Sequence, residues 1–353
     1  MGKQRIGYID AMRGFTMLLV VYNHVLMCSF SGGSSFSFND IFLTFRMPLF
    51  FLLSGFLMYK PERNRQWGDV RQFLQKKLVV QLVPTFIFTI AYCLILRHSF
   101  SALWFEKAKC GSWFTVTLFV YFVIYSVGDL VVSKFFQGRK KILLGSIGAV
   151  LVYAFSKYSL MGGCPWRDSS ICGLLGFANW QYFLFFFMGA LIKAFFNVFL
   201  KQIDRPLIRC LIVTGFIVIQ FIIQLPQSRT WIIHTLSFPV FSFIKTIAGI
   251  FGVLTIFVFF RKHDSFWNCS RTGKALRYIG ERTLDIYLIH LIIIQTNMRF
   301  IGEFLSSNSS PITELVVGGA VSLITIAVCL VISSVIRSSD VLAKLLFGKV
   351  IES

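Results

Sequence analysis

Apolar residues run along this chain in blocks of about twenty, each long enough to cross a bilayer as an α-helix, with polar and basic residues gathered between them. The blocks fall at roughly 6–29, 41–58, 78–97, 112–133, 142–160, 174–192, 207–225, 234–260, 279–296 and 313–336. They recur over the whole length instead of clustering at one end, which excludes a lone signal peptide or single anchor. The pattern predicts an all-α, polytopic membrane bundle of about ten transmembrane helices, forming one integral membrane domain over residues 1–353.

Composition agrees: 56% of the residues are hydrophobic and 14% are charged, against about 25% charged in a soluble globular domain. The formal charge of +20 raises the question of nucleic acid, and its distribution answers it. Lys3, Arg5, Arg13, the loop "KPERNRQWGDVRQFLQKK", the turn "KFFQGRKK", Lys193 to Arg209, the loop "RKHDSFWNCSRTGKALRYIGER" and the C-terminal tail hold 26 of the 35 Lys and Arg. All of these fall on one side of a ten-span bundle, which the positive-inside rule makes cytoplasmic together with both termini. The charge is topological, membrane lipid is the expected surrounding, and no nucleic-acid partner is needed.

The eight cysteines show no CxxC or Cys/His metal spacing, so no metal site is expected. Cys164 and Cys172 share one outer loop, "MGGCPWRDSSIC", where a disulfide is conditional on an oxidising compartment. There is no P-loop, no GxGxxG after a strand and no Gly-x-Ser-x-Gly elbow, hence no bound cofactor is expected. The inter-span stretches, of about 20 residues at most, are too short to fold alone. Any chemistry belongs to the bundle itself.

Ionisable residues inside the apolar blocks are therefore the candidates, because each needs protein or water around it. In "YIDAMRGFTMLLVVYNHV" Arg13 and His24 are eleven residues apart, close to three helical turns, which aligns them on one face about 16 Å apart. Asp10 lies one turn before Arg13 near the same stripe and is expected to pair with it at the inner boundary. At about 20 Å it is too far from His24 to orient that ring. Arg46 enters the second span from outside, at a depth comparable to His24, beside Pro48, which frees a backbone carbonyl. Two like charges in an apolar bundle repel, so Arg46 beside His24 is expected to leave the imidazole uncharged and able to accept a proton. The alternative for Arg46 is snorkelling to the outer interface.

His290 sits in the outer half of the ninth span with Asp285 and Tyr287 below it; Tyr287 and His290 either take part directly or hydrogen-bond across helices. Trp113 and Trp180 read as interfacial anchors. Lys157 and Lys245 are close enough to span ends to snorkel. His98, His234 and His263 fall in or near loops, where histidines are ordinary. The tracts "FRMPLFFL" and "YFLFFFMG" read as lipid-facing or packing surface.

Taken in order, these motifs resemble the acyltransferase 3 family of bacterial integral membrane acyltransferases. Asp10, Arg13, Gly14 and His24 match its Asp-x-x-Arg-Gly opening and Arg-x10-His pattern. "FRMPLFFLLSGF" matches through Phe45, Arg46, Pro48, Phe50, Ser54 and Gly55. "SWFTVTLF" is similar at Trp113 and Phe114, "FLFFFMGALI" resembles the later Phe-rich span, and "YIGERTLDIYLIH" matches through Gly280, Thr283, Tyr287 and His290. The chain departs from the pattern where relatives carry two basic residues three apart before Leu-x-x-Pro-Tyr. Here "QKKLVVQLVPTF" places Val79 and Val80 at the second basic position and Thr85 in place of the tyrosine.

The resemblance implies transfer of an acyl group, most often acetyl from cytoplasmic acetyl-CoA, to a hydroxyl of a sugar or polysaccharide of the cell envelope, by a multi-pass protein of the inner (plasma) membrane. Acetyl-CoA is then a substrate, with Arg71, Lys76 and Lys77 standing in for the family's donor-gripping basic pair. His24 acts either as general base, with Arg46 or Arg13 at the oxyanion, or as the carrier in an acyl-histidine relay. A carrier or flippase for a sugar or anionic precursor is the alternative, since polar tracks through bundles also serve transport. Against it, the two halves show no internal repeat and no matched pair of broken spans.

Overall fold

The structure, a computed structural model, describes residues 6–29, 37–60, 66–97, 99–101, 109–160, 176–225, 238–297 and 310–348. Regular structure among them is entirely helical. Among the described residues, eight helices are long and apolar enough to span a membrane: Gly7–Cys28, Phe38–Met58, Trp67–Leu96, Trp113–Phe135, Gly138–Ser159, Pro206–Gln224, Pro239–Lys262 and Pro311–Arg337. The long helices leave bulky apolar side chains exposed, among them Leu143, Leu151, Ile217, Phe221, Leu323, Ile324 and Val331. Such stripes suit hydrocarbon and not water.

The two remaining expected spans take other forms. The sixth is a 3-10 turn, Phe177–Tyr182, leading into a helix, Phe183–Ala194, that breaks before the next helix, Phe196–Ile203. The ninth is a short apolar helix, Thr283–Asn297. Segments read as polar loops are helical instead, among them Trp67–Lys77, Asp264–Cys269 and Arg271–Glu281. Trp67–Lys77 carries Arg71, Lys76 and Lys77, and Arg271–Glu281 begins at Ser270, whose Oγ accepts from the Gly273 amide at 2.9 Å. That N-cap satisfies one of the helix's orphan donors.

Numbered in chain order, the helices are α1 (Gly7–Ser29), α2 (Phe38–Met58), α3 (Trp67–Lys77), α4 (Val83–Leu96), α5 (Trp113–Phe135), α6 (Gly138–Leu160), α7 (Phe183–Ala194), α8 (Phe196–Ile203), α9 (Pro206–Gln224), α10 (Phe238–Lys262), α11 (Asp264–Cys269), α12 (Arg271–Glu281), α13 (Thr283–Asn297), α14 (Pro311–Arg337) and α15 (Asp340–Phe347). They divide into two compact units, Met1–Leu53 with Phe195–Leu330 and Ser54–Ala194 with Val331–Ser353.

In the first unit α1 is the central element and packs most extensively on α12. The reason is glycine against glycine. A Cβ at Gly14 would land on the Leu276 carbonyl oxygen, and a Cβ at Gly280 on the Asp10 carbonyl oxygen. Small residues let two backbones approach this closely, the device that joins helices where lipid removes any hydrophobic drive between them. Farther along, Tyr8 meets Phe257 edge-on at 6.0 Å. Buried Gln220 of α9 donates to Thr44 Oγ1 of α2 at 2.6 Å.

The second unit is built on aromatic packing. Tyr121, Phe122 and Tyr125 of α5 meet Phe186 of α7 with ring centroids 5.7–5.9 Å apart, and a Cβ at Gly55 would fall on the Phe186 carbonyl oxygen. The Phe-rich tract at 183–187 is in large part packing surface, Phe183, Phe185 and Phe186 being buried. Between α3 and α4 lies a π-helical turn, Leu78–Leu82, in which the Val83 amide donates to the Leu78 carbonyl. Pro84, which has no amide hydrogen, follows directly and favours such a rearrangement. Buried Gln81 steadies the turn by donating to the Thr115 carbonyl at 2.8 Å.

Candidate functional site

Three helices of the first unit assemble the site. α1 places Asp10 and Arg13 on one turn, and the Arg13 guanidinium donates to Asp10 Oδ1 at 3.2 Å, the expected pair. Its other terminal nitrogen donates to Thr283 Oγ1 at 3.1 Å. Thr283 is the first residue of α13 and is buried. Arg13 thus ties the start of α13 to the inner end of α1, directly beside the Gly14–Gly280 contact. Pairing by a carboxylate and a hydroxyl is what keeps a guanidinium tolerable at this depth.

Eleven residues along α1, the His24 ring turns into protein and not to lipid. Its centroid is 5.2 Å from that of His290 on α13, the planes inclined at 55°. His290 is fully buried, and its Nδ1 lies 3.0 Å from the Ile286 carbonyl oxygen and 2.8 Å from that of Tyr287. A carbonyl can only accept, so Nδ1 carries the hydrogen and the neutral ring keeps its lone pair on Nε2. That nitrogen is buried and has no hydrogen-bond partner among the described residues. A buried polar atom in this condition calls for an explanation.

Arg46 is 7% exposed, with Nη1 directed at the Leu19 carbonyl at 3.4 Å, so it faces the bundle and does not snorkel outward. Leu19 lies five residues before His24 on α1, so this contact sets the guanidinium beside the stretch of helix that carries the imidazole. Tyr287 is buried, with its ring 5.7 Å from that of His290. His24, Arg46, Tyr287 and His290 therefore form one cluster, with Asp10, Arg13 and Thr283 a second one farther down α1. Thr283 entered the sequence reading only as a motif letter; its tie to Arg13 spans 270 residues and has no local signature.

The other expected site residues belong to the second unit. Arg71 and Lys76 are exposed on α3, while Lys77 is half-buried with its ammonium 4.7 Å above the Phe122 ring. Trp113 begins α5 and leans on Phe114 and Tyr182. Lys157 and Lys245 lie over the rings of Tyr153 and Phe241, a cation–π arrangement that suits ammonium groups inside apolar helices. His263 immediately precedes α11 in the polar segment expected for it, its Nδ1 2.9 Å from the Phe259 carbonyl oxygen. Cys164, Cys172, His98 and His234 lie outside the described residues. No group of three or more potential metal ligands occurs among the described residues.

Fold and site define a multi-pass membrane protein with a two-histidine, arginine-flanked cluster buried in its helices. The profile of the acyltransferase 3 family, described as an acyltransferase domain, matches residues 6–334. The chain belongs to that family and is a membrane acyltransferase. Neither the curated proteins nor the solved structures provide a significant match.

Proposed function

We propose that the protein transfers an acetyl group from cytoplasmic acetyl-CoA to a hydroxyl of a cell-envelope sugar or polysaccharide, with His24 as general base, in an inner membrane that holds both termini on the cytoplasmic side. The observation that carries this reading is the His24 ring, turned into the protein 5.2 Å from a second imidazole, on the same helix that holds Arg13 about 16 Å below.

In the proposed reaction the acceptor hydroxyl gives its proton to His24 as its oxygen attacks the thioester carbonyl. The tetrahedral oxyanion is stabilised by Arg46, or by Arg13, and collapses to the ester with loss of the coenzyme A thiolate, which takes up the proton that His24 received and so restores the base. Arg13 is held on two sides, by Asp10 and Thr283, so its charge is fixed before substrate arrives, and preorganisation of this kind lowers the cost of reaching the transition state. Arg71, Lys76 and Lys77 offer cationic contacts for the donor's phosphates. His290 keeps its lone pair on Nε2 and serves as the second acceptor of hydrogen bonds beside His24.

The test is an acetyl-transfer assay on purified protein, with O-acetyl content of surface polysaccharide measured in parallel in cells producing His24→Ala at wild-type levels. The expected loss is about 10²–10⁴-fold in turnover, with membrane insertion unchanged. Wild-type acetylation by His24→Ala would reject the assignment. A burst of labelled protein from acetyl-CoA without acceptor would replace general base by the acyl-histidine relay.

A further inference from the structure

Two cysteines outside this site stand together. Cys93 lies on the last turns of α4 and is buried, Cys110 is half-buried in the 3-10 turn Lys109–Gly111 that leads into α5, and their sulfurs are 3.5 Å apart. The turn packs on α4. The backbone is bent to achieve this: Lys109, Cys110 and Gly111 have φ of 46°, 50° and 84°. Two consecutive non-glycine residues in the left-handed region are uncommon and persist only where surrounding structure imposes them. Here the Lys109 carbonyl accepts from the Ser112 amide at 3.0 Å and from Ser112 Oγ at 2.7 Å, and the Ser112 carbonyl accepts from Thr115 Oγ1 at 2.9 Å. That network fixes the unusual turn at the start of α5, and the turn's packing on α4 brings one thiol to the other.

We propose that Cys93 and Cys110 are a reversible dithiol–disulfide pair that fastens the end of α4 to the entrance of α5. The sulfurs need to approach by only about 1.5 Å to reach the S–S bond length of about 2.0 Å. The oxidant is a disulfide, either of a protein thiol oxidase or of oxidised glutathione. The more accessible Cys110, as thiolate, attacks one of its sulfurs, forming a mixed disulfide and releasing one thiolate. Cys93, as thiolate, then attacks Cys110 Sγ, forms the intramolecular bond and expels the second thiolate. The two protons from the cysteines end on the two released thiols, so the oxidant is reduced by two electrons and the pair oxidised by two. On the positive-inside reading this end of α4 is opposite the basic α3 and faces the outer side, where disulfides persist. None of the observations behind the pairing involves His24, Arg46 or His290, and the pairing stands or falls separately from the acyl-transfer reading.

The test uses the full-length protein in detergent, reduced, then treated with oxidised glutathione, quenched with acid, alkylated, digested and mapped by mass spectrometry. The expected result is a Cys93–Cys110 cross-linked peptide that dithiothreitol opens and that is missing from Cys93→Ser and from Cys110→Ser. A melting midpoint that rises on oxidation in the wild type and in neither variant is the second expected readout. Separate alkylation or glutathionylation of Cys93 and Cys110 after oxidation, or pairing of either with Cys164 or Cys172, overturns the proposal. If a serine variant fails to fold, the wild-type peptide map alone decides.

Discussion

Replacing Gly280 by alanine tests the claim that the α1–α12 contact sets the geometry below the histidines. The new methyl group would fall on the Asp10 carbonyl oxygen, and its next neighbours are the Asp10 carbonyl carbon and the Gly14 amide nitrogen. All three are backbone atoms, so no side chain can swing aside and the helices themselves must separate, by more than about 1 Å to reach ordinary contact. Overpacking that a core can absorb costs about 1–3 kcal/mol, and a backbone-to-backbone collision belongs at the upper end. The displaced segment runs from Gly280 into Thr283, which holds Arg13, and on to His290. The expected outcome is therefore loss of both stability and turnover, read as a fall of several degrees in the melting midpoint in detergent and at least a tenfold drop in acetyl transfer. Gly319→Ala on α14 is the control: nothing lies within 4 Å of its Cβ position, and removing a helix-interior glycine gains up to about 1 kcal/mol. A Gly280→Ala protein that melts and turns over like the wild type would refute the argument.

Thr283→Val removes the hydroxyl that accepts from Arg13. A hydrogen bond to a charged group contributes about 1.5–3 kcal/mol, and with the Arg13 side chain 25% exposed about 1 kcal/mol is expected. That corresponds to a fall in kcat/KM of about fivefold, with Thr283→Ser near wild type; equal activity of the Val and Ser variants would show that Arg13 needs no second anchor. The Lys141–Asp129 ion pair of the second unit, 2.7 Å long and partly exposed, is expected to contribute at most about 1 kcal/mol. Asp129→Asn should leave transfer kinetics unchanged, and a lost activity there would bring that pair into the donor site.

Hydropathy made most of the bundle legible because a span must carry about twenty apolar residues whatever it packs on. It failed where that constraint lapses. α3 and α12 are polar helices, and nothing obliges a polar segment between spans to look helical, although Ser270 three residues before Gly273 is a cap signal that could have been read. The Arg13–His24 alignment followed from helical period alone, and the Asp10–Arg13 pair from their one-turn spacing. The approach of His290 to His24 and the tie from Thr283 to Arg13 are contacts between helices, which periodicity within one helix cannot specify. Gly14 and Gly280 were visible as motif letters, yet their reason, a backbone carbonyl of the facing helix in the space each Cβ would need, exists only in the packed pair. Cys93 and Cys110 escaped because the cysteine reading looked for short spacings and shared loops, and a helix end meeting a turn offers neither.

The departure from the family's basic pattern coincides with a structural irregularity. The motif places its second basic residue where this chain has Val79 and Val80, and those two residues lie inside the π turn Leu78–Leu82. Such a turn accommodates one extra residue, and one residue of an α-helix is a rotation of about 100°. Everything upstream is therefore turned by roughly that angle relative to the apolar helix α4, compared with an unbroken α-helix. The basic positions available on α3 are accordingly redistributed: Lys76 exposed, Lys77 half-buried over Phe122, Arg71 exposed about one turn earlier. Gln81, bonded to the Thr115 carbonyl, fixes the register of that turn.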